Sequence, residues 1–438
     1  MNRILLAVKP LLRRVTSSIA FYPTLIAISF IALALLMIWG EYKPWIMEIK
    51  PSIAILLVGT VDDGRLVLGT LVASIISLMV FSFSMVMVVL NQASAHLSPR
   101  LLPGLITAKD NQVVLGVYLG TICYCMILIL NIRSADSGIQ VPELGILVGM
   151  LCGLLCLGLF MYFIHSISQS IQVDTILQRL FKQTAHRLNR ESTDKTNESC
   201  EAKDWFNIKA PKAGYLKWIQ EGELLSLCEK KDMKVRMERC IGHFYIEGST
   251  YLKVSEKLDD TDIHDIHQCF VFYPEESTVD YYSFGFKQIS EIAVKSMSPG
   301  INDPATAIKV IDILMVLLVQ RCQTVEKYVL CDSDETPRIF LNPTQISDLL
   351  YDYIVPIKHY SKRDPLVMKR LISGMIQVYL RAEREADKTA LIEHILAIRE
   401  ACDKNMDDQM DRDLINMEIR TFNKVSESFS ILLLADLS

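Results

Sequence analysis

Residues 66–100 read LVLGTLVASIISLMVFSFSMVMVVLNQASAHLSPR, an apolar run threaded with serines and closed by Ser98-Pro99-Arg100. The run is too hydrophobic for water and interrupted by polar groups that hydrocarbon does not solvate. Ser77, Ser84 and Asn91 recur every seven residues and Ser74 stands one turn before the first, so a helix gathers them into one hydrophilic stripe. Such a stripe is expected to face protein or water. As one helix from Leu66 to His96 the segment would be roughly 45 Å long at ~1.5 Å per residue, well beyond a ~30 Å hydrocarbon core. One end therefore projects from the bilayer.

The whole chain fits that reading. Its 438 residues are 51% hydrophobic, with a mean hydropathy of +0.28. That is high for a soluble protein and low for one wholly embedded, so a membrane part joined to a soluble part is expected. The 45 basic and 50 acidic residues leave a formal charge of -5, which marks neither a nucleic-acid binder nor an acidic tail. Eleven cysteines are scattered without a C-x-x-C pair, and Cys123, Cys125, Cys152 and Cys156 lie inside apolar runs. They read as reduced packing residues and not as a disulfide framework or zinc ribbon. The first apolar run follows Arg3, Lys9, Arg13 and Arg14 and continues without a small-residue cleavage site, so a retained first span is expected over a signal peptide.

Four runs meet the length and polarity of spans: Phe21 to Trp39, Leu66 to Leu90, Gln112 to Leu130 and Leu144 to His165. Basic residues dominate the N-terminus and the segment after the fourth run, where Arg179, Lys182, Arg187 and Arg190 stand. The first and third loops offset their basic residues with acidic ones. The positive-inside rule then puts both termini and the loop with Arg100 in the cytoplasm, and Asp62 and Asp63 at an external mouth. Gly116 and Gly120 in the third run, and Gly145, Gly149 and Gly153 in the fourth, form ridges that let helices approach closely within one bundle or between subunits. Ile53 to Val61 is too short to span and reads as a surface-lying or re-entrant piece.

Helical spacing persists after His165 through Ile167, Ile171, Ile176, Leu177, Leu180 and Phe181, so the fourth helix is expected to continue into the cytoplasm. Glu191 to Asp204 reads as a polar linker. Short alternating runs between turn residues, from Phe206 to about Tyr273, predict a small β-barrel or sandwich module with a helix at Leu224 to Lys230. The remainder is mainly helical, including Phe286 to Met297, Pro304 to Gln320 and Pro365 to Arg384, with a strand at Lys327 to Leu330. The fold class expected is a membrane α-helical bundle of four spans plus a cytosolic α+β region. Its boundaries fall at 1–165, 166–204, 205–280 and 281–438.

The most distinctive soluble segment is Ser298-Pro299-Gly300-Ile301-Asn302-Asp303-Pro304. It is a turn entering a helix, with Asn302 or Asp303 available as cap and Pro304 suited to the first helical position. Exposed amides at that start could hold an anion, but an acidic cap opposes one, so structural capping is preferred. Together with Phe284-Gly285-Phe286-Lys287-Gln288-Ile289, Ile292-Ala293 and Thr306-Ala307, it resembles the signature of a family of predicted bacterial inner-membrane proteins catalogued as a domain of unknown function. Phe83-Ser84, Pro99-Arg100 and Leu115-Gly116-Val117-Tyr118-Leu119-Gly120 are similar to that family's membrane half. Glu291 and Ser296-Met297 depart mildly from its pattern. The resemblance covers nearly the entire chain and implies four spans, a cytosolic half and an inner-membrane address, without a reaction.

His264, His267 and Cys269 lie close enough in sequence to be a weak metal candidate, but no second ligand pair accompanies them, and an acidic solvated helix face explains them as well. Nucleophile, phosphate-loop and metalloprotease motifs are lacking, so neither enzymatic activity nor a cofactor is expected. His96 and Arg100 stand at the cytoplasmic end of the second span, as gate or anchor. The function expected is an oligomeric inner-membrane channel or channel-like transport protein, its path lined by the second span and gated or assembled by the cytosolic half. The rival is a non-conducting scaffold or sensor. Expected partners are the lipid bilayer, further copies of the chain, ions and a cytosolic ligand or protein; nucleic acid is not among them.

Overall fold

A computed structural model of the chain describes residues 20–41, 43, 50, 55, 57–58, 60–96, 109–132, 142–170, 172–191, 204–274, 281–324, 329–425 and 429–435. The chain divides into a membrane unit, up to Thr175, and a second unit from Ile176 onward.

Among the described residues the membrane unit has four helices long and apolar enough to cross a bilayer. These are α1 (Phe21–Gly40), α2 (Val61–His96), α3 (Lys109–Asn131) and α4 (Glu143–Ser170). At 36 residues α2 is a single helix, roughly 54 Å long at ~1.5 Å per residue. α1 and α3 approach closely because Gly116 and Gly120 lack side chains. A Cβ on Gly116 would lie 2.8 Å from Ile26 Cδ1 and 3.0 Å from Pro23 Cα, and one on Gly120 would lie 2.8 Å from Phe30 Cγ. On α4, Gly145 faces Leu128, Gly149 faces Leu68 and Gly153 faces Leu71. All five glycines thus seat helices of the same chain, as small-residue ridges do in lipid. Buried Tyr124 donates its hydroxyl to Gly145 O at 2.8 Å, satisfying a polar group within the bundle.

The fourth helix stops at Ser170, and a separate helix, α5 (Val173–Glu191), begins three residues later. Helical structure thus extends beyond His165, in two pieces, α4 to Ser170 and α5 from Val173. α5 is strongly amphipathic and buries Ile176, Leu177, Leu180, Thr184 and Leu188. It is docked on the second unit: Gln320 Nε2 donates to Ala185 O at 3.0 Å and to Asn189 Oδ1 at 2.6 Å.

The β region consists of two sheets and no closed barrel. β1 (Phe206–Lys209), β5 (Thr250–Val254), β3 (Val235–Met237), β8 (Pro337–Phe340) and β7 (Val329–Cys331) form a five-stranded sheet in that order. β4 (Phe244–Tyr245), β2 (Gly214–Ile219) and β6 (Phe270–Tyr273) form a three-stranded sheet. Leu216, Tyr245 and Phe272 from the small sheet share one core with Val235, Tyr251, Leu252 and Ile339 from the large one, which makes a sandwich. α6 (Glu221–Lys231) and α7 (Asp260–Gln268) complete this region. The sheet is not confined to residues 205–280. β8 runs parallel to β3, with Val235 opposite Ile339, so a hairpin from beyond residue 328 completes a module begun a hundred residues earlier. Arg338 fastens that hairpin through Asp332 at 2.8 Å and Asp232, at the end of α6, at 2.6 Å. The Arg338 guanidinium holds the Asp332 carboxyl below the usual carboxylate range.

The helical part comprises α8 (Tyr282–Ser296), α9 (Pro304–Gln323), α10 (Ile346–Leu349), α11 (Val355–Ser361), α12 (Pro365–Tyr379), α13 (Glu385–Asn405) and α14 (Gln409–Val425). α12 is the central element, packing on α9, α13 and α14. A π-turn at Leu350–Ile354 precedes α11. Pro356 has no N–H to continue the ordinary ladder, and Ser290 on α8 donates to Tyr353 O at 2.6 Å.

Candidate functional site

The sequence singles out one face of α2, and the bundle decides what that face meets. Leu68, Ile75 and Ser82 are fully buried, or nearly so, and they lie seven residues apart, so they trace the seam by which α2 joins its neighbours. Ser77 and Ser84 each follow a seam residue by two positions, a rotation of about 200° on a helix. They therefore stand opposite the seam. Ser74, Ser77, Ser84 and Asn91 are all exposed in the single chain. Interhelical bonding inside this bundle is thus not what the stripe serves.

Part of the stripe satisfies itself. Ser77 Oγ donates to Ala73 O at 3.0 Å, and Thr70 Oγ1 donates to Leu66 O at 2.7 Å. Such back-bonding lets a hydroxyl tolerate hydrocarbon, so the expectation that every stripe residue needs an outside partner is too strong. Asn91 carries an amide that a single carbonyl does not saturate. Gly69, Ala73 and Ser77 are exposed at four-residue spacing beside the stripe, and a Cβ on Gly69 would meet nothing within 4 Å. Ser84 also borders an apolar cleft of about 640 Å3 lined by Met79, Phe83, Leu115 and Leu119 from α2 and α3, with Pro23 of α1.

At the other end, Thr60 caps α2. Its hydroxyl donates to Asp63 Oδ2 at 2.6 Å while the Asp63 amide donates to Thr60 Oγ1 at 3.2 Å, a reciprocal capping arrangement. Asp63 thereby has a local structural partner, and Asp62 is exposed beside it. A charged cluster not foreseen from the sequence stands near the ends of α1 and α4. Lys50 pairs with Glu41 at 2.7 Å and with Glu143 at 3.2 Å, and Glu41 is only 2% exposed. Burial depresses the Lys50 ammonium, but the two carboxylates outweigh it and raise its pKa above the usual lysine value. No periodicity could bring these three residues together, because they lie on different segments. His96 is the last residue of α2, and Pro99, Arg100 and four of the nine residues from Ile53 to Val61 lie outside the described residues.

The Ser298–Pro304 turn links α8 to α9. Asn302 takes a left-handed backbone with φ 46°, and Asp303 caps α9 by accepting from the Thr306 amide at 3.1 Å and its hydroxyl at 2.6 Å. Those two Thr306 bonds hold the Asp303 carboxyl below the usual range. Pro304 takes the first helical position, while Pro299 and Gly300 are exposed. A capped helix start with a bound carboxylate already occupies the place an anion would need. Gly285 has a different task. A Cβ there would fall on Thr184 Oγ1 and 2.9 Å from Thr184 Cβ and Cγ2, so the glycine is what lets α5 lie against α8.

His264, His267 and Cys269 turn to separate partners. His264 bonds Gln268 at 2.8 Å, His267 bonds the Tyr251 hydroxyl at 2.9 Å, and Cys269 donates to Asp265 O. Among the described residues no group of three or more His, Cys, Asp or Glu side chains is placed to hold a metal ion. The weak candidate does not converge.

A family model described as predicted membrane protein, DUF2254, matches residues 16–377, and the chain belongs to that family. An uncharacterized protein of Mycobacterium bovis is 23% identical over 376 residues, spanning 82% of this chain and 71% of the relative. An uncharacterized protein of Mycobacterium tuberculosis shows the same identity and coverage. No solved structure matches.

Proposed function

We propose that the chain assembles in the bacterial inner membrane, with both termini cytoplasmic, as an oligomeric channel-like transport protein whose α2 helices turn Ser77, Ser84 and Asn91 toward a shared polar path. The observation that carries this reading is the opposition of two heptad lines on α2. One is buried as the packing seam and the other, polar, is left uncovered by its own bundle. The open small-residue ridge Gly69-Ala73-Ser77 gives a neighbouring copy room to approach on the flank of the stripe. Asp62 stands at the external end as a source of negative potential for cations, and the role is non-enzymatic.

Purified protein reconstituted in planar bilayers tests this. Currents are expected in wild type, and Ser84→Leu and Asn91→Leu should reduce them by making the path apolar. Absence of current in wild type, or currents insensitive to both substitutions, refutes the pore-lining role.

A second reading, a scaffold or sensor binding a cytosolic partner, draws on the outer face of the three-stranded sheet. Trp218, Phe244 and Tyr273 are exposed there around half-buried Tyr215, and Lys217 stands 4.6 Å over the Tyr273 ring. Exposed aromatic surface of this kind marks interaction faces.

A further inference from the structure

The last described segment, residues 429–435, belongs to no helix or strand, runs back along α14 and is held largely through its backbone. Asn423 reads Ile431 reciprocally: its Nδ2 donates to Ile431 O, and its Oδ1 accepts from Ile431 N, both at 2.8 Å. Asn416 does the same at Leu434, donating to its carbonyl at 3.2 Å and accepting from its amide at 2.7 Å. Arg399 donates to Leu432 O at 3.1 Å and Leu433 O at 2.7 Å, and Arg412 donates to Ala435 O at 2.8 Å. Five consecutive carbonyls thus each accept a hydrogen bond from a side chain of α13 or α14.

The spacing explains the fit. Two asparagines seven residues apart on a helix are separated by roughly 10.5 Å, and residues three apart in an extended chain by roughly 10 Å. Two side chains of the segment are fully inserted, Ile431 at 2% exposure and Leu434 at 3%, and Phe429 is half-buried. Leu432 is 79% exposed, so its side chain contributes nothing to the seat. Arg412 is itself 4% exposed and is fixed before it meets the tail, by Asp403 O and Met406 O at 3.0 Å each and by the Asp403 carboxylate. The groove is a built receptor for an extended peptide with aliphatic side chains at positions one and four.

We propose that this groove is an exchangeable peptide-binding site whose resident ligand is the chain's own tail, and that a second copy's tail takes the same seat. Exchange replaces every contact by an identical one, which makes swapping inexpensive between chains held side by side in one bilayer. The part played by a second copy rests on the assembly of copies proposed above, and no part of the proposal depends on conduction through α2.

The test uses the full chain truncated after Ser428 and a fluorescent peptide of residues 429–438. The truncated chain should bind the peptide saturably, and the intact chain, whose seat is filled, much more weakly. Asn416→Ala and Asn423→Ala should each weaken binding roughly thirtyfold, as expected for two lost hydrogen bonds. Ile431→Asp or Leu434→Asp in the peptide should abolish it, while Leu432→Ser should leave it unchanged. A truncated chain that keeps the intact chain's circular dichroism and elution volume yet binds nothing overturns the proposal. If truncation unfolds the chain, a protease site placed at 426–428 allows the tail to be cut in place. A cut tail that never exchanges with labelled peptide then overturns it equally. For the second copy, a chain with Asn416→Ala and Asn423→Ala, bearing a photo-crosslinking residue at position 432, is co-reconstituted with the truncated chain. Crosslinking to α13 or α14 of the truncated chain is expected, and its absence rules out the second copy as donor.

Discussion

Gly285→Ala sets two effects of opposite sign against each other. In a helix interior the change is worth about 1 kcal/mol of stabilisation from backbone propensity alone. At this position the new methyl would overlap Thr184 Oγ1 and stand 2.9 Å from Thr184 Cβ and Cγ2, where carbon pairs prefer about 3.5–4.0 Å. Rotation of Thr184 relieves the hydroxyl but not its Cβ, which is attached to the α5 backbone. α5 must therefore retreat by roughly 1 Å, loosening a face that buries Leu177, Leu180 and Leu188. Overpacking of this kind costs about 1–3 kcal/mol. Adding the propensity gain leaves a net loss of about 1–2 kcal/mol at the upper end of that range, or a fall in Tm of about 2–6 °C for a unit of this size. Thermal unfolding of the purified full chain measures it, and trypsin should cut faster at Arg179, Lys182 and Arg187 as α5 loosens. Thr184→Ala in the same chain should recover part of the loss. A Tm that rises with Gly285→Ala would refute the contact and leave propensity as the whole effect.

Two further outcomes follow from the described geometry. Asp303→Ala should cost about 1 kcal/mol by removing the α9 cap, and Asp303→Asn should cost less because it keeps an accepting oxygen. Because the Asp303 pKa is lowered in the folded chain, its contribution is present above the ordinary carboxylate value and is lost as pH falls through the folded value; chemical unfolding between pH 6 and pH 3 should show the wild-type advantage over Asp303→Asn shrink. Tyr124→Phe removes the side-chain hydrogen bond to Gly145 O, whose carbonyl keeps its helical donor, and should destabilise the bundle by about 0.5–1.5 kcal/mol, measured as a lower unfolding midpoint in detergent; an unchanged midpoint would mean that this bond adds nothing to stability.

The four apolar helices, the cap at Asp303-Pro304 and the polar heptad line on α2 were legible in the sequence, because each depends on apolar length, helical period or a cap within one turn. Most helices of the second unit were legible for the same reason. What the stripe faces was not, since periodicity sorts residues onto faces without saying which face a neighbour covers; the buried serine of α2 is Ser82, outside the stripe. The pairing of β8 with β3, the meeting of Lys50 with Glu41 and Glu143, and the seating of residues 429–435 by Asn416 and Asn423 join segments distant in sequence or running back along one another. Such contacts depend on where the chain reverses, and no local pattern encodes that. Gly285 shows the division most plainly: the sequence by itself marked a glycine in a distinctive hexapeptide, and only the tertiary structure supplied the threonine that forbids it a side chain.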